Sequence, residues 1–212
     1  MFGIINYKLF VISGILLNMM PGADTIYILS KAGVGGRKCG IASALGVSTG
    51  LMIHTFLAAL GLSAILASSA AAFNIMKLAG AAYLVVMGIS TIISKKPLLS
   101  VDENGKENTD TRKAYRQGVL TNALNPKAAL FFLVLLPQFV SADNTYGPIP
   151  FLILGATLCT TSTVWCVFLA YISSFVSRLL QKSDKAQKWA QRGAGMIYVV
   201  LGLNVLRAKS GS

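Results

Sequence analysis

The sequence predicts an all-α membrane protein: six transmembrane helices arranged as two inverted three-helix repeats, the first and fourth helices broken by proline. Three observations carry this. Of the 212 residues 54% are hydrophobic and 12% charged, with a mean hydropathy of +0.65, and a soluble domain would carry about twice that charged fraction. Apolar runs long enough to cross a bilayer, which takes roughly 20 helical residues, recur along the chain. Short motifs in the first and third runs reappear in the fourth and sixth.

The six spans fall at about 5–31, 40–67, 73–94, 114–139, 149–177 and 187–207. The first is read as a mature helix and not a cleaved leader. Only Lys8 precedes its apolar stretch, no A-x-A site follows, and apolar sequence resumes at Ile26. Between the third and fourth spans lies a polar segment with four acids. This divides the chain into a first repeat over 1–94, a solvated loop over 95–113 and a second repeat over 114–212. A second charged linker, 178–192, precedes the last span, which extends back through Trp189, an aromatic suited to the interface.

Basic residues set the orientation. With the N-terminus outside, fourteen of the nineteen fall on inner segments: Lys31, Arg37 and Lys38; the run from Lys95 to Arg116; and the linker from Arg178 to Arg192. Basic residues accumulate on the cytoplasmic side, so both termini are expected outside and the long loop inside. The net charge of +12 is accounted for in this way, and no nucleic acid is expected as partner. Cys39, Cys159 and Cys166 show no C-x-x-C spacing; no disulfide, metal or cofactor is expected.

The third span contains Lys77-Leu-Ala-Gly80-Ala-Ala-Tyr83 running on to Gly88, and the sixth contains Arg192-Gly-Ala-Gly195-Met-Ile-Tyr198 running on to Gly202. Pro21-Gly22 interrupts the first span, and Asn125-Pro126 the fourth. Two halves of three helices each enter the membrane from opposite sides, so the repeat is inverted, an arrangement many secondary transporters use for alternating access.

A proline inside a helix removes a backbone hydrogen bond, and in hydrocarbon the freed carbonyl needs protein or a watery cavity beside it. A simple kink is the plain explanation of each break, but charge accompanies both. Asp24 is the one acid inside a span and follows Pro21; Lys127 is the one basic residue well inside a span and follows Pro126. A charge at the bilayer centre costs about 3 kcal/mol on insertion scales and is by default functional. Asp24 and Lys127 are therefore candidate substrate or proton-binding residues, and an ion pair holding the bundle together is the structural alternative. Gly46, Gly50 and His54 fall on one face of the second span. The glycines let a helix approach closely, and His54 reads as a packing histidine, with a proton relay as the alternative. Gly46-Val-Ser48-Thr-Gly50 matches G-x-S-x-G, but that motif works only on a strand-to-helix turn. An intramembrane hydrolase is therefore disfavoured. An aquaporin-like channel is the nearer rival, though paired Asn-Pro-Ala re-entrant loops are lacking.

Together these residues resemble the LysE/RhtB family of bacterial amino-acid exporters. The likeness covers nearly the whole chain in order. It runs through Pro21-Gly22 with Asp24; Gly36-Arg37 with Gly40, Gly46, Gly50 and His54; and Lys77 to Tyr83 with Gly88. It continues through Gly118 and Asn125-Pro126-Lys127-Ala-Ala-Leu-Phe-Phe to Pro137-Gln138-Phe139, and ends in Arg192, Gly195, Leu201 and Gly202. Ala23 departs from it, standing where the family usually has a second proline, which implies a softer break. The resemblance implies export of small amino acids or derivatives across the bacterial inner membrane, driven by the proton-motive force: threonine, homoserine and its lactone, or neutral and branched amino acids. Its partners would be a zwitterionic amino acid, a coupling proton and the lipid bilayer, and association with further copies of the chain is compatible with it. Asp24 would then receive the ammonium or the proton, and Lys127, with a half-helix N-terminus, the carboxylate. Asn18 and Asn125 would supply neutral hydrogen bonds.

Overall fold

The computed structural model describes residues 2–93, 110–141, 143–181 and nine positions between 188 and 203. Most of the loop 95–113, residues 182–187 of the second linker, and Tyr198 and Gly202 of the repeat motif lie outside the described residues. Among the described residues the fold is all-helical, with one isolated bridge between Ile4 and Val140 and no strand.

The first span is two pieces. Helix α1 covers Tyr7–Met19, and helix α2 begins at Ala23. Pro21 has no N–H to give the preceding turn, so the chain leaves the helix at Met20 and re-enters through an extended Gly22. The break is complete although Ala23 replaces the family's second proline. Ala23 is the first helical residue of α2, a position whose N–H has no intrahelical partner in any case and where a proline would be tolerated.

Helix α2 runs over Ala23–Ser68 with one non-helical residue, Gly36 (φ 69°, ψ −175°). That combination is open only to glycine. Residues 32 and 40 would stand about 12 Å apart along a straight helix. Here a Cβ at Gly40 would lie 2.6 Å from the Ala32 Cβ, so the chain folds back on itself at Gly36. The reversal falls inside the expected inner segment between residues 31 and 40; what differs is that the segment is helical apart from Gly36. Lys31, expected on that segment, is 8% exposed, with its ammonium 5.8 Å from the centre of the Tyr27 ring.

Helix α3 spans Ala70–Ile93. The fourth span is also divided, as helix α4 (Thr111–Ala123) and helix α5 (Pro126–Leu130), which continues as a π-turn over Phe131–Leu135 and a 3-10 turn over Leu136–Phe139. The two parts of the span are bent by 45°. Pro137 cannot continue a regular ladder, and the change of helical pitch ahead of it accommodates that. Helix α6 covers Ile149–Gln181, and the described positions between 188 and 203 are helical.

Among the described residues, the stretches Ala23–Ile65 and Ile149–Ser173 are by length and composition apolar enough to cross a membrane. The first doubles back at Gly36 and so does not cross as one rod. The bent pair Thr111–Ala123 and Pro126–Phe139 makes a further span if taken as one. Large apolar side chains face outward along these helices, among them Phe56, Leu57, Leu60, Leu120 and Val164. Lipid suits such a surface and water does not.

Helix α2 packs chiefly against α4 and α6, and α1 against α6. The approach of α4 to α2 is close because of glycine. A Cβ at Gly46 would strike the Tyr115 carbonyl, and one at Gly50 would meet Asn122, Val119 and Ala123. From the other side, Gly118 faces the Ser43 carbonyl. A core of Phe10, Leu17, Met20, Leu51, Phe131, Phe132, Phe151 and Leu154 fills the space between the two broken spans and α6.

Candidate substrate site at the crossing of two helix breaks

The two breaks meet. Asp24 lies in the first turn of α2, where the helix dipole favours negative charge. Its Oδ2 accepts hydrogen bonds from Asn125 Nδ2 at 2.8 Å and from Asn122 Nδ2 at 3.2 Å. Both amides belong to the other half of the chain: Asn122 is in the last turn of α4, and Asn125 is the N-cap of α5.

Both ends of the Asn125 side chain are committed. Its Oδ1 accepts from the Lys127 backbone N–H at 3.0 Å, capping α5, with Pro126 at the first helical position where proline is well tolerated. The cap fixes which way the amide faces and so directs Nδ2 at Asp24. Lys127 reaches back the other way, its Nζ donating to the Met20 carbonyl at 2.9 Å. That carbonyl is at the C-cap of α1, where a cation is favoured. The ammonium is also close to Gly22: a Cβ there would lie 3.5 Å from Nζ.

Asp24 and Lys127 line one cavity of about 30 Å³, together with Asn18, Thr25, Asn122, Ser162, Trp165 and Cys166 among others. They form no direct ion pair; each charge is held by neutral groups of the opposite half. Asn18 Nδ2 donates to Thr161 Oγ1 at 3.3 Å, tying the end of α1 to α6. Two acceptor oxygens of the cavity residues, Asp24 Oδ1 and Asn122 Oδ1, are buried without a hydrogen-bond partner. A buried acceptor left unpaired is costly, which marks the place where a donor-bearing ligand or an added proton would be stabilised.

His54 lies behind this cluster. Its Nε2–H donates to the Asn122 carbonyl at 3.1 Å, and its ring stacks on Phe132 with centroids 5.7 Å apart. Ser48 does not approach it as a nucleophile would approach a base: its hydroxyl donates to the Ala44 carbonyl and accepts from Thr163 at 2.7 Å. Gly46 and Gly50, on the same face, are the contact for α4. Cys39, Cys159 and Cys166 form no disulfide; Cys166 is at the cavity and Cys159 beside Thr55.

Asn18, Asp24, Asn125 and Lys127 are thus brought together with Pro21, Gly22 and Pro126 around one point, while Gly46, Gly50 and His54 stand behind it as support. Sequence reasoning missed Asn122, Thr161 and Trp165. A signal for the first exists: Asn122 and Asn125 are three residues apart, on one helical face leading into the break. A weaker one exists in α6, where Thr157, Thr161 and Trp165 recur every four residues in an apolar helix.

Comparison with known proteins gives a consistent picture. The family model "LysE type translocator" matches residues 15–209. An "uncharacterized membrane protein YrhP" of Bacillus subtilis is 33% identical over 196 residues, covering 89% of this chain and 92% of that protein. A protein named leucine efflux protein from Enterobacter sp. (strain 638) is 31% identical over 202 residues, 93% of each chain. Its namesake in Salmonella typhimurium is 26% identical over the same extent. No solved structure matches.

Proposed function

Because the chain belongs to the LysE family of translocators, we propose that it is a secondary transporter exporting small neutral amino acids across the cytoplasmic membrane, coupled to protons. The observation that carries this is the half-buried Asp24, anchored on one oxygen by Asn122 and Asn125, its other oxygen buried and unpaired, and sharing a cavity with Lys127. A zwitterion presents an ammonium and a carboxylate, and the cavity offers a carboxylate oxygen and an ammonium set apart from each other. Asp24 Oδ1 receives either the substrate ammonium or the coupling proton. Lys127 has two further N–H groups beyond the one on Met20 and directs them at the substrate carboxylate. Asn18 supplies a neutral hydrogen bond from α1, and Asn125 acts through the two charged residues it orients.

Aliphatic neutral amino acids of leucine's kind are the substrate class we favour. Relatives over 93% of the chain are named leucine efflux proteins, and apart from Asp24 and Lys127 the cavity walls carry no charge.

The six-span inverted architecture is part of the same reading, with 1–94 and 114–212 as its halves and both termini outside. Three contacts support it. The bridge between Ile4 and Val140 sets the start of the first span beside the end of the fourth, as an even number of crossings between them requires. The two proline breaks face each other, each half holding the other's charge. Gly88 of α3 and Gly195 of the last helix are in reciprocal contact, a Cβ at either one meeting the other's carbonyl oxygen. The third helix of each half is thereby brought against its counterpart, as a pseudo-two-fold axis between the halves requires.

The test is uptake of labelled neutral amino acids by inverted membrane vesicles with and without a proton gradient. Uphill, gradient-dependent accumulation that is lost in Asp24→Asn is expected. Passive, saturation-free flux would assign the chain to the channels instead. Full coupled transport by both Asp24→Asn and Lys127→Ala would overturn the site assignment while leaving the transporter reading intact.

A further inference from the structure

His54 is buried beside the crossed breaks but does not line their cavity. The carbonyl it meets, that of Asn122, is the one the second break sets free. In a continuous helix that carbonyl accepts from the N–H four residues on, and position 126 is a proline, which has none. Two donors take its place: the Asn125 backbone N–H at 2.9 Å and His54 Nε2–H at 3.1 Å. Both lone pairs of the carbonyl are thus occupied, and because a carbonyl only accepts, the ring carries its hydrogen on Nε2. Asn122 in turn gives its Nδ2 to Asp24 at 3.2 Å. Gly50, one turn before His54 on the same face of α2, leaves room for it: a Cβ there would stand 2.7 Å from the Asn122 Cβ. The first break is served in the same way, since Lys127 Nζ donates to the Met20 carbonyl. At each break, then, a freed carbonyl is bonded by a nitrogen side chain from the other half of the chain.

We propose that His54 is a positioning residue for export: its Nε2–H replaces the N–H that Pro126 lacks and so holds the end of α4 where the Asn122 amide reaches Asp24. It acts through Asn122, and it neither touches the substrate nor carries the coupling proton. The inference rests on the reading of Asp24 as the substrate or proton site of an amino-acid exporter. A fixed donor suffices for this role, because the carbonyl needs a hydrogen bond and not a titrating group. An amide of the same reach therefore serves as well. It could not serve in a proton relay, which must release and rebind its hydrogen.

The test uses the full chain in proteoliposomes with labelled leucine, with and without a proton gradient, and unfolding temperatures measured on the same preparations. His54→Phe keeps a ring to stack on Phe132 and removes the donor. It should lower kcat/KM on the order of tenfold, the worth of the Asn122 hydrogen bond to a charged group. His54→Gln sets an amide N–H near the place of Nε2 and gives up the stacking. It should restore most of the transport, still driven by the gradient, although it unfolds at a lower temperature than the phenylalanine variant. The order of activity then opposes the order of stability, which a packing role does not produce. His54→Leu, smaller and also without a donor, should transport as poorly as His54→Phe and covers the case in which the larger ring does not fit. In an Asn122→Ala background, itself impaired on the order of tenfold, His54→Phe should cost nothing further.

Wild-type transport by His54→Phe or His54→Leu overturns the positioning role and leaves His54 a packing residue. Downhill flux without gradient-driven accumulation in His54→Gln overturns it in favour of a proton relay. Losses that multiply in the double variant overturn the action through Asn122. Wild type that moves no amino acid at all overturns the exporter reading itself, a result distinct from the other three because it precedes any substitution.

Discussion

The Lys127 ammonium is bonded to the Met20 carbonyl, 107 residues earlier in the chain, at 2.9 Å. Pro21 is what removes Met20 from its own helix, so the cation of one break serves as the missing hydrogen-bond donor of the other. In the complementary link the neutral Asn125 amide, also of the second break, donates to the charged Asp24 of the first at 2.8 Å. Cation, acid, amide and orphaned carbonyl form one polar unit inside an apolar bundle, and such a unit is stable only when all its members are present.

Lys127→Met keeps most of the stem and removes the charge. The Met20 carbonyl loses its donor and Asp24 loses the cation that shares its cavity. A stability loss of about 1–3 kcal/mol is expected in detergent, read as a fall in unfolding temperature, with export abolished. Lys127→Arg should restore little, because a planar guanidinium cannot present a compact point charge in the space beside Gly22.

Asn125 separates two roles. Asn125→Ser keeps an oxygen that can cap α5 but is too short to hold Asp24, whereas Asn125→Ala loses both contacts. The alanine variant should be less stable than the serine variant by about 1 kcal/mol, the worth of an N-cap. Export should be equally poor in both, since both release Asp24. Normal export in the serine variant, measured beside its unfolding temperature, would confine Asn125 to capping.

Glycines in α2 should respond unequally. Gly46→Leu drives a side chain into the Tyr115 carbonyl and Gly118 and should destabilise by about 1–3 kcal/mol or more, as overpacking does. Gly61 has nothing within 4 Å of an added Cβ. Gly61→Ala should be neutral or stabilise by up to about 1 kcal/mol through helix propensity. Thermal unfolding of the two variants side by side decides this.

At Gly36 the cost is conformational. A φ of 69° with ψ near 180° is outside the left-handed helical region that asparagine tolerates. Gly36→Ala and Gly36→Asn should therefore be destabilised alike, by about 1–3 kcal/mol. A marked rescue by asparagine in the unfolding temperature would mean that the reversal there has left-handed helical geometry.

The covalent chemistry of proline and the price of intramembrane charge made the breaks and their two charged residues legible in the sequence. Both are local properties: Pro21 and Pro126 interrupt a helix whatever surrounds them, and Asp24 and Lys127 stand out against apolar neighbours. Partners were a different matter. Asn122 looks like any polar residue near a helix end until α2 brings Asp24 beside it, and Trp165 looks like an interfacial aromatic until α1 closes against α6. Lys31 misled because a basic residue near a run of glycines reads as a loop. In the fold it is buried, the helix running past it to Gly36 and its ammonium meeting Tyr27. The reversal between the first two spans was legible, but not that it takes the single residue Gly36: the residue permits so tight a turn, and the packing of Gly40 on Ala32 and Ala170 demands it.

The crossed links also bear on how the chain is made. Both hydrogen bonds to Asp24 come from residues beyond 120, so the acid enters the bilayer before either of its donors has been synthesised. The first half must wait in the membrane, or at the translocon, with a charge that its own sequence does not neutralise. Biogenesis of the first half is then completed by the second, and an arrested chain ending before Asn122 should be a substrate for membrane quality control.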